Sequence, residues 1–157
     1  MPVIELETIV NAPATRVFDL ARCIDLHTES MSGSHERAVE GVTFGLIDLG
    51  ETVTWEAVHF GIQQNLTSEI TQFDRPHHFR DSMLSGAFKR LDHDHFFTET
   101  DGRTLMRDVF DYTSPLGLLG RLMDKLLLEN YMKRLLEARN ELIKEVAESD
   151  RWRNFLD

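Results

Sequence analysis

The stretch that most constrains this chain is residues 114–148, SPLGLLGRLMDKLLLENYMKRLLEARNELIKEVAE. Leu116, Leu119, Met123, Leu126, Leu127, Tyr131, Leu135, Ala138, Leu142, Ile143 and Val146 recur at three- and four-residue steps, which places them on one face of a helix. Ser114 can cap the first free N–H groups and Pro115 suits the first helical position. Charged residues such as Glu137, Glu141 and Lys144 fill the opposite face. At 1.5 Å per residue such a helix is roughly 50 Å long, so its apolar stripe requires something wide beneath it.

The preceding residues supply that platform. Val3 to Val10 alternates as a strand with one buried face. Asn11-Ala12-Pro13 ends it, and Pro13 opens a short helix with Val17, Phe18, Leu20 and Ala21 a turn apart. Residues 24–31 read as a second short helix, stopped by Ser32-Gly33-Ser34. Strands are then expected over 35–39, 50–61, 63–73, 78–84, 88–100 and 104–113. Asp101-Gly102 is the strongest hairpin signal, pairing the last two strands antiparallel. A run of about six strands before a terminal helix indicates an α+β domain, with helices covering one face of an antiparallel sheet. A sheet of six or seven strands is roughly 30 Å wide, and a long helix can cross it. If the twisted sheet curves around that helix, the space between them becomes a cavity.

Composition narrows the function. In 157 residues, 41% are hydrophobic and 28% charged, which fits one soluble domain over residues 1–148 with a short tail over 149–157. No apolar run is long enough for a membrane span, the start lacks a signal sequence, and a cytoplasmic protein is expected. The single cysteine, Cys23, excludes an intrachain disulfide and reads as a small buried residue. A net charge of -10, with basic residues interspersed among acids, argues against nucleic acid as a partner.

Taken in order, the segments NAPATRVFDL, GETVTWEAVHFG, LTSEITQFDRPHHFRD, GAFKRLDHDHFF and DYTSPLGLLGRL resemble the START-like (SRPBCC) superfamily over nearly the whole chain. The superfamily includes the birch-pollen-allergen and polyketide-cyclase branches, and the chain looks most like its bacterial stand-alone ligand-binding members. The resemblance implies a helix-grip fold, a curved antiparallel sheet around the C-terminal helix with a hydrophobic tunnel between them. It names no ligand, because superfamily members bind lipids, sterols, quinones and polyketides or catalyse cyclisation and hydrolysis.

Strand alternation proposes which polar side chains face the tunnel. Trp55 brings His59 with it, Leu91 and Phe97 bring His93 and His95, Phe79 and Met83 bring Asp81, and Met106, Phe110 and Tyr112 bring Asp108. Two imidazoles at i and i+2 on one strand face can converge on a proton, an anion or a metal. With Asp108 they read as a cluster that orients a polar ligand end or does acid–base work, and two His with one carboxylate also meet a facial-triad count. The alternative is a buried hydrogen-bond network that stabilises strand pairing. No metal or other cofactor is expected, since the strand spacing is a weak metal signal and no phosphate-loop or GxSxG pattern is present. Met123, Leu127 and Tyr131 are the expected tunnel wall on the helix. His27 and Glu29 are candidates to close the mouth, His35 and Glu36 are expected to begin a strand, and His77-His78 to sit in a solvated turn. Arg80, Arg90 and Arg107 are expected in surface ion pairs on the outer faces.

The expected function is binding of a small hydrophobic or aromatic molecule, with His59, Asp81, His93, His95 and Asp108 fixing its polar group beside Trp55, Phe110, Met123, Leu127 and Tyr131. One alternative is a cyclase- or dehydratase-like enzyme using His93, His95 and Asp108. Another is a partner-binding module that uses the outer helix face and the tail, where Trp152, Phe155 and Leu156 are more apolar than a solvated segment requires; a homodimer is one form this takes.

Overall fold

The computed structural model describes residues 2–114, 122 and 127–157. Seven strands form one antiparallel sheet: β1 (Val3–Val10), β2 (Arg37–Gly41), β3 (Thr52–His59), β4 (Ile62–Asp74), β5 (His78–Ser85), β6 (Arg90–Thr100) and β7 (Arg103–Thr113). Their spatial order is β1-β7-β6-β5-β4-β3-β2. The first two strands in sequence are therefore the two sheet edges. The chain must cross between them, and α1 (Ala14–Ala21) and α2 (Ile24–Ser30) make that crossing. From β2 onward it meanders back strand by strand until β7 pairs with β1, in a register running from Val3 opposite Asp111 to Val10 opposite Thr104. Asp101 and Gly102 both take positive φ, 54° and 76°, which the tight β6–β7 turn requires.

The β4–β5 pair introduces curvature. Its register shifts between Thr67 and Ser68 and again between Ile70 and Gln72. The extra residue is Leu84 of β5 at the first shift and Thr71 of β4 at the second, and each bends its own strand and increases its twist. The second bulge also changes phase, so that Ile70 and Phe73, three residues apart, both join the core. There Phe18 of α1 is fully buried and meets Phe73, Phe79 and Phe97 edge-on at 5.2 to 5.3 Å between centroids. This aromatic knot fixes α1 to the sheet.

The terminal helix α3 spans Glu129–Ala147. The earlier part of the long helix expected over 114–148, with Met123, lies outside the described residues apart from Ser114, Leu122, Leu127 and Leu128. The end of α3 is pinned where Lys144 Nζ donates to the Ile9 carbonyl (2.7 Å) and Arg16 Nη1 donates to the Ala147 carbonyl (3.1 Å). Its buried positions are Leu136, Arg139, Asn140, Ile143, Val146 and Ala147. Ala138, expected on the apolar stripe, is exposed, and the arc has rotated to bring Arg139 inward. The tail forms a 3-10 turn and α4 (Arg153–Leu156), and Trp152, Phe155 and Leu156 pack back on the core. Arg16 lies over the Trp152 ring at 4.3 Å, and Arg151 bridges Glu29 and Glu145.

Three local expectations need correction. His35 ends a 3-10 turn at φ 54°, and β2 begins only at Arg37. His78 begins β5 as expected but is not solvated: it bonds Asp94 at 2.7 Å and stacks on Phe96. Arg80 and Arg90 form the expected outer ion pairs, with Asp94 and with Asp92 and Asp111. Arg107 instead covers the Phe96 ring at 5.1 Å. Among the described residues no helix is long and apolar enough to cross a membrane.

Candidate functional site

Sheet, α2 and α3 enclose a cavity of about 600 Å³. Its wall is mostly apolar and draws on two hydrophobic clusters. One contains Ile24, Val53, Trp55, Ile70 and Phe79, and the other Leu91, Phe110 and Leu136. On β4, Gln64, Leu66, Ser68 and Ile70 all face it, so the alternating set holds through the first bulge. Phe60 and Leu127, both more than half exposed, mark the mouth between the β3–β4 turn and the start of α3.

A polar layer separates the two clusters. Along β6 the inward order is Leu91, His93, His95, Phe97; along β7 it is Met106, Asp108, Phe110; along α3, Leu136 and Ile143 flank Arg139 and Asn140. In each element the polar positions fall between a residue of one cluster and a residue of the other. Facing strands bring His93 opposite Phe110 and His95 opposite Asp108 in the β6–β7 register, with Asp81 opposite His93 on β5.

Asp108 is the centre of this layer. Its side chain is fully buried. Oδ1 receives His93 Nε2 at 3.0 Å, His95 Nδ1 at 2.9 Å and, more distantly, Arg139 Nη1 at 3.5 Å, while Oδ2 accepts from Asn140 Nδ2 at 2.7 Å. Arg139 also donates to Asn140 Oδ1 (2.9 Å) and to the Ala21 carbonyl (3.2 Å), tying α3 to α1. His95 bonds Asp81 Oδ2 through Nε2 at 2.9 Å and stacks on Phe79 at 4.2 Å. With a carboxylate on each ring nitrogen, His95 satisfies both contacts only as the doubly protonated imidazolium. Asp81, His95 and Asp108 thus form one hydrogen-bonded chain whose cavity end is Asp81.

The electrostatics follow. Burial opposes a charged His95, but the Asp108 and Asp81 hydrogen bonds outweigh it and raise its pKa. Burial and the neighbouring His95 charge lower that of His93, despite its bond to Asp108. Burial alone would raise Asp108 and Asp81; the histidine bonds and the Arg139 charge instead hold Asp108 well below the ordinary carboxylate range and Asp81 below it. Linkage fixes the sign of each effect. Stability from the two depressed carboxylates is present above the ordinary carboxylate range and lost as pH falls below it, through their lowered values. Stability from His95 is present below about pH 6.5 and lost as pH rises through its raised value, whereas His93 resists protonation and costs stability below about pH 6.5. Urea midpoints measured against pH should therefore drop steeply in acid, and His95→Gln should remove the alkaline decline; an unchanged alkaline limb would contradict the assignment.

The structure distributes the expected residues as follows. Trp55, His59, Asp81, His93, His95, Phe110, Leu127 and Tyr131 line the cavity. Asp108 does not reach the wall: it stands behind the two histidines and acts through them. His59 Nδ1 pairs with the Tyr131 hydroxyl at 2.7 Å near the mouth. His27 lies against Trp55 at 4.3 Å and pairs with Glu36 at 2.6 Å, which makes Glu36 a wall residue, while Glu29 turns outward to Arg151. Sequence reasoning missed Arg139 and Asn140. Their signal was positional, since Arg139 falls three residues after Leu136 and four before Ile143, on the buried stripe. Ligating atoms of Asp81, His93 and His95 lie within 4.8 Å of one another, yet His95 presents protons to both its neighbours, so a cation there would first displace one.

No family model matches the sequence, nor does any curated protein. Solved structures do resemble the fold. A Thermus thermophilus protein superposes with a TM-score of 0.72 at 19% identity, over 93% of this chain and 99% of its own. The major latex-like protein 151 of Panax ginseng gives 0.69 at 14% identity, over 94% and 98%. A START superfamily protein of Mycobacterium smegmatis gives 0.67 at 10%, over 92% and 98%. At such identities the likeness carries architecture and not activity. With its curved seven-stranded sheet, paired short helices and terminal helix, this chain has the START-like helix-grip fold.

Proposed function

We propose that the protein binds one small hydrophobic or aromatic molecule between the sheet and the terminal helix. The observation that carries this reading is the cavity itself, about 600 Å³ with a mostly apolar wall and a convergent polar patch at Asp81, His93 and His95. That volume and that mixture are typical of small-molecule sites. The apolar wall supplies affinity without direction, and the polar patch orients whatever polar atom the ligand carries. Titration of the intact chain with the neutral apolar fluorophore N-phenyl-1-naphthylamine should give a blue-shifted, saturable signal at one equivalent. A spectrum that stays at its aqueous position would overturn the reading.

A second reading is favoured by the Asp81–His95–Asp108 chain, whose geometry suits moving a proton to or from a bound carbonyl compound, as in a cyclase or dehydratase. His95→Gln separates the two. Uptake retained with turnover lost would support the enzyme, and turnover unchanged would remove it.

A further inference from the structure

The binding reading leaves open what kind of polar head the cavity takes, and the charge inventory of its wall bears on that. Every cationic or potentially cationic side chain described on the wall already has a protein partner. Arg22 bonds Asp19 and Asp48 at 2.9 and 2.7 Å. His27 bonds Glu36, and His59 bonds the Tyr131 hydroxyl. His93 is held by Asp108, His95 lies between Asp81 and Asp108, and Arg139 is held by Asp108, Asn140 and the Ala21 carbonyl. Among the described residues no wall cation is left to receive an anion.

The acceptors are not similarly closed. Asp81 Oδ2 takes the His95 proton, whereas Oδ1 has no protein donor among the described residues. The Asp81 side chain is 26% exposed, on a wall where His95 is 2% exposed, so its surface opens to the cavity. A carboxylate oxygen facing an apolar chamber and lacking a donor is incompletely satisfied, and a ligand N–H or O–H placed on it gains a charge-assisted hydrogen bond. A ligand carboxylate at the same point meets like charge in a poorly solvated setting. The rest of the layer does not relieve that repulsion: Asp81 and Asp108 balance His95 and Arg139, so the layer has no net positive charge to offer.

Resting on the binding reading above, we propose that the ligand is an apolar or aromatic body with a hydrogen-bond-donating head, a hydroxyl or an amine, seated on Asp81 Oδ1, and that carboxylate-headed molecules are rejected. The head lies at the inner end of the cavity and the body extends past Trp55, Leu66 and Phe110 toward the mouth.

Competition against N-phenyl-1-naphthylamine on the intact chain tests this near neutral pH with four compounds of one bicyclic body: 2-naphthol, 2-naphthylmethylamine, 2-methoxynaphthalene and 2-naphthoate. Naphthol or the amine should displace the probe at a concentration about tenfold or more below that needed for naphthoate, and below that for the methyl ether, which keeps the shape but lacks the donor. Whichever of naphthol and amine competes better identifies the head as hydroxyl or ammonium. Asp81→Asn, whose amide adds N–H donors, should bring naphthoate to within about threefold of naphthol. Naphthoate equal to or better than naphthol on the unaltered chain overturns the proposal, as does a ranking unchanged in folded Asp81→Asn. The methyl-ether comparison needs no variant, so the test stands even if Asp81→Asn does not fold. Probe uptake with all four competitors equal leaves the binding reading intact and removes this one; absence of probe uptake removes both.

Discussion

Replacing Asp108 with alanine is expected to cost about 3–5 kcal/mol of folding stability, read as a drop in the urea midpoint. The magnitude follows from what remains. His95 and Arg139 would be left as buried cations, each having lost a carboxylate partner, and Asn140 Nδ2 and His93 Nε2 would lose their acceptor. Breaking a buried ionic group from one side costs more than the intact group contributes, because desolvation of the surviving charge is no longer offset. Asp108→Asn keeps the shape but not the charge and should still lose most of that stability. A loss under about 1 kcal/mol in either variant would mean that the layer is wetter and less coupled than its geometry implies.

The second large effect concerns ligand uptake. Ser68 is buried on β4 and faces the cavity, between Val53 on β3 and Met83 on β5. Ser68→Phe should reduce probe affinity about a hundredfold or abolish uptake, since the ring occupies the space that the probe needs. Stability should meanwhile change by less than about 1 kcal/mol, because the added side chain enters open volume and buries apolar surface. In a filled core the same substitution would overpack and cost about 1–3 kcal/mol. The combination of lost uptake with retained stability is therefore particular to a cavity. Loss of stability with uptake unaffected would place the probe elsewhere.

The strands were legible because their hydrophobic alternation has a short period and each is bounded by a turn. β1 has the expected bounds, and no end of the other strands differs by more than two residues. The inward sets on β3, β5, β6 and β7 followed from apolar anchors such as Trp55 and Phe79, since alternation fixes every second residue. The polar layer was half legible for the same reason. Its strand members, Asp81, His93, His95 and Asp108, were carried inward by their neighbours.

Arg139 and Asn140 were not found because reading a helix by its apolar residues assigns charge to solvent. A buried arginine reverses that rule when a buried carboxylate awaits it, and its partner here is 31 residues away on another element. Ala138, small and apolar, competed for the same stripe. The terminal helix thus supplies chemistry as well as apolar cover, which its pattern of leucines did not announce. Glu36 escaped for a different reason. Its neighbour His35 adopts a left-handed conformation, uncommon for a residue other than glycine, and this sets the start of β2 two residues late and points Glu36 at His27. His78 begins β5 where the strand was expected to start, but its ring is held between Asp94 and Phe96 instead of being solvated, a pairing across β5 and β6 that alternation along one strand does not reveal.

We propose that sheet and terminal helix together hold one small apolar molecule. Native mass spectrometry of the intact chain, purified without denaturation and mixed with N-phenyl-1-naphthylamine, tests it most directly. A single added mass of one probe molecule is expected on the 18.2 kDa chain and is expected to be absent from Ser68→Phe. The bare chain alone, or the same adduct on both proteins, would contradict it.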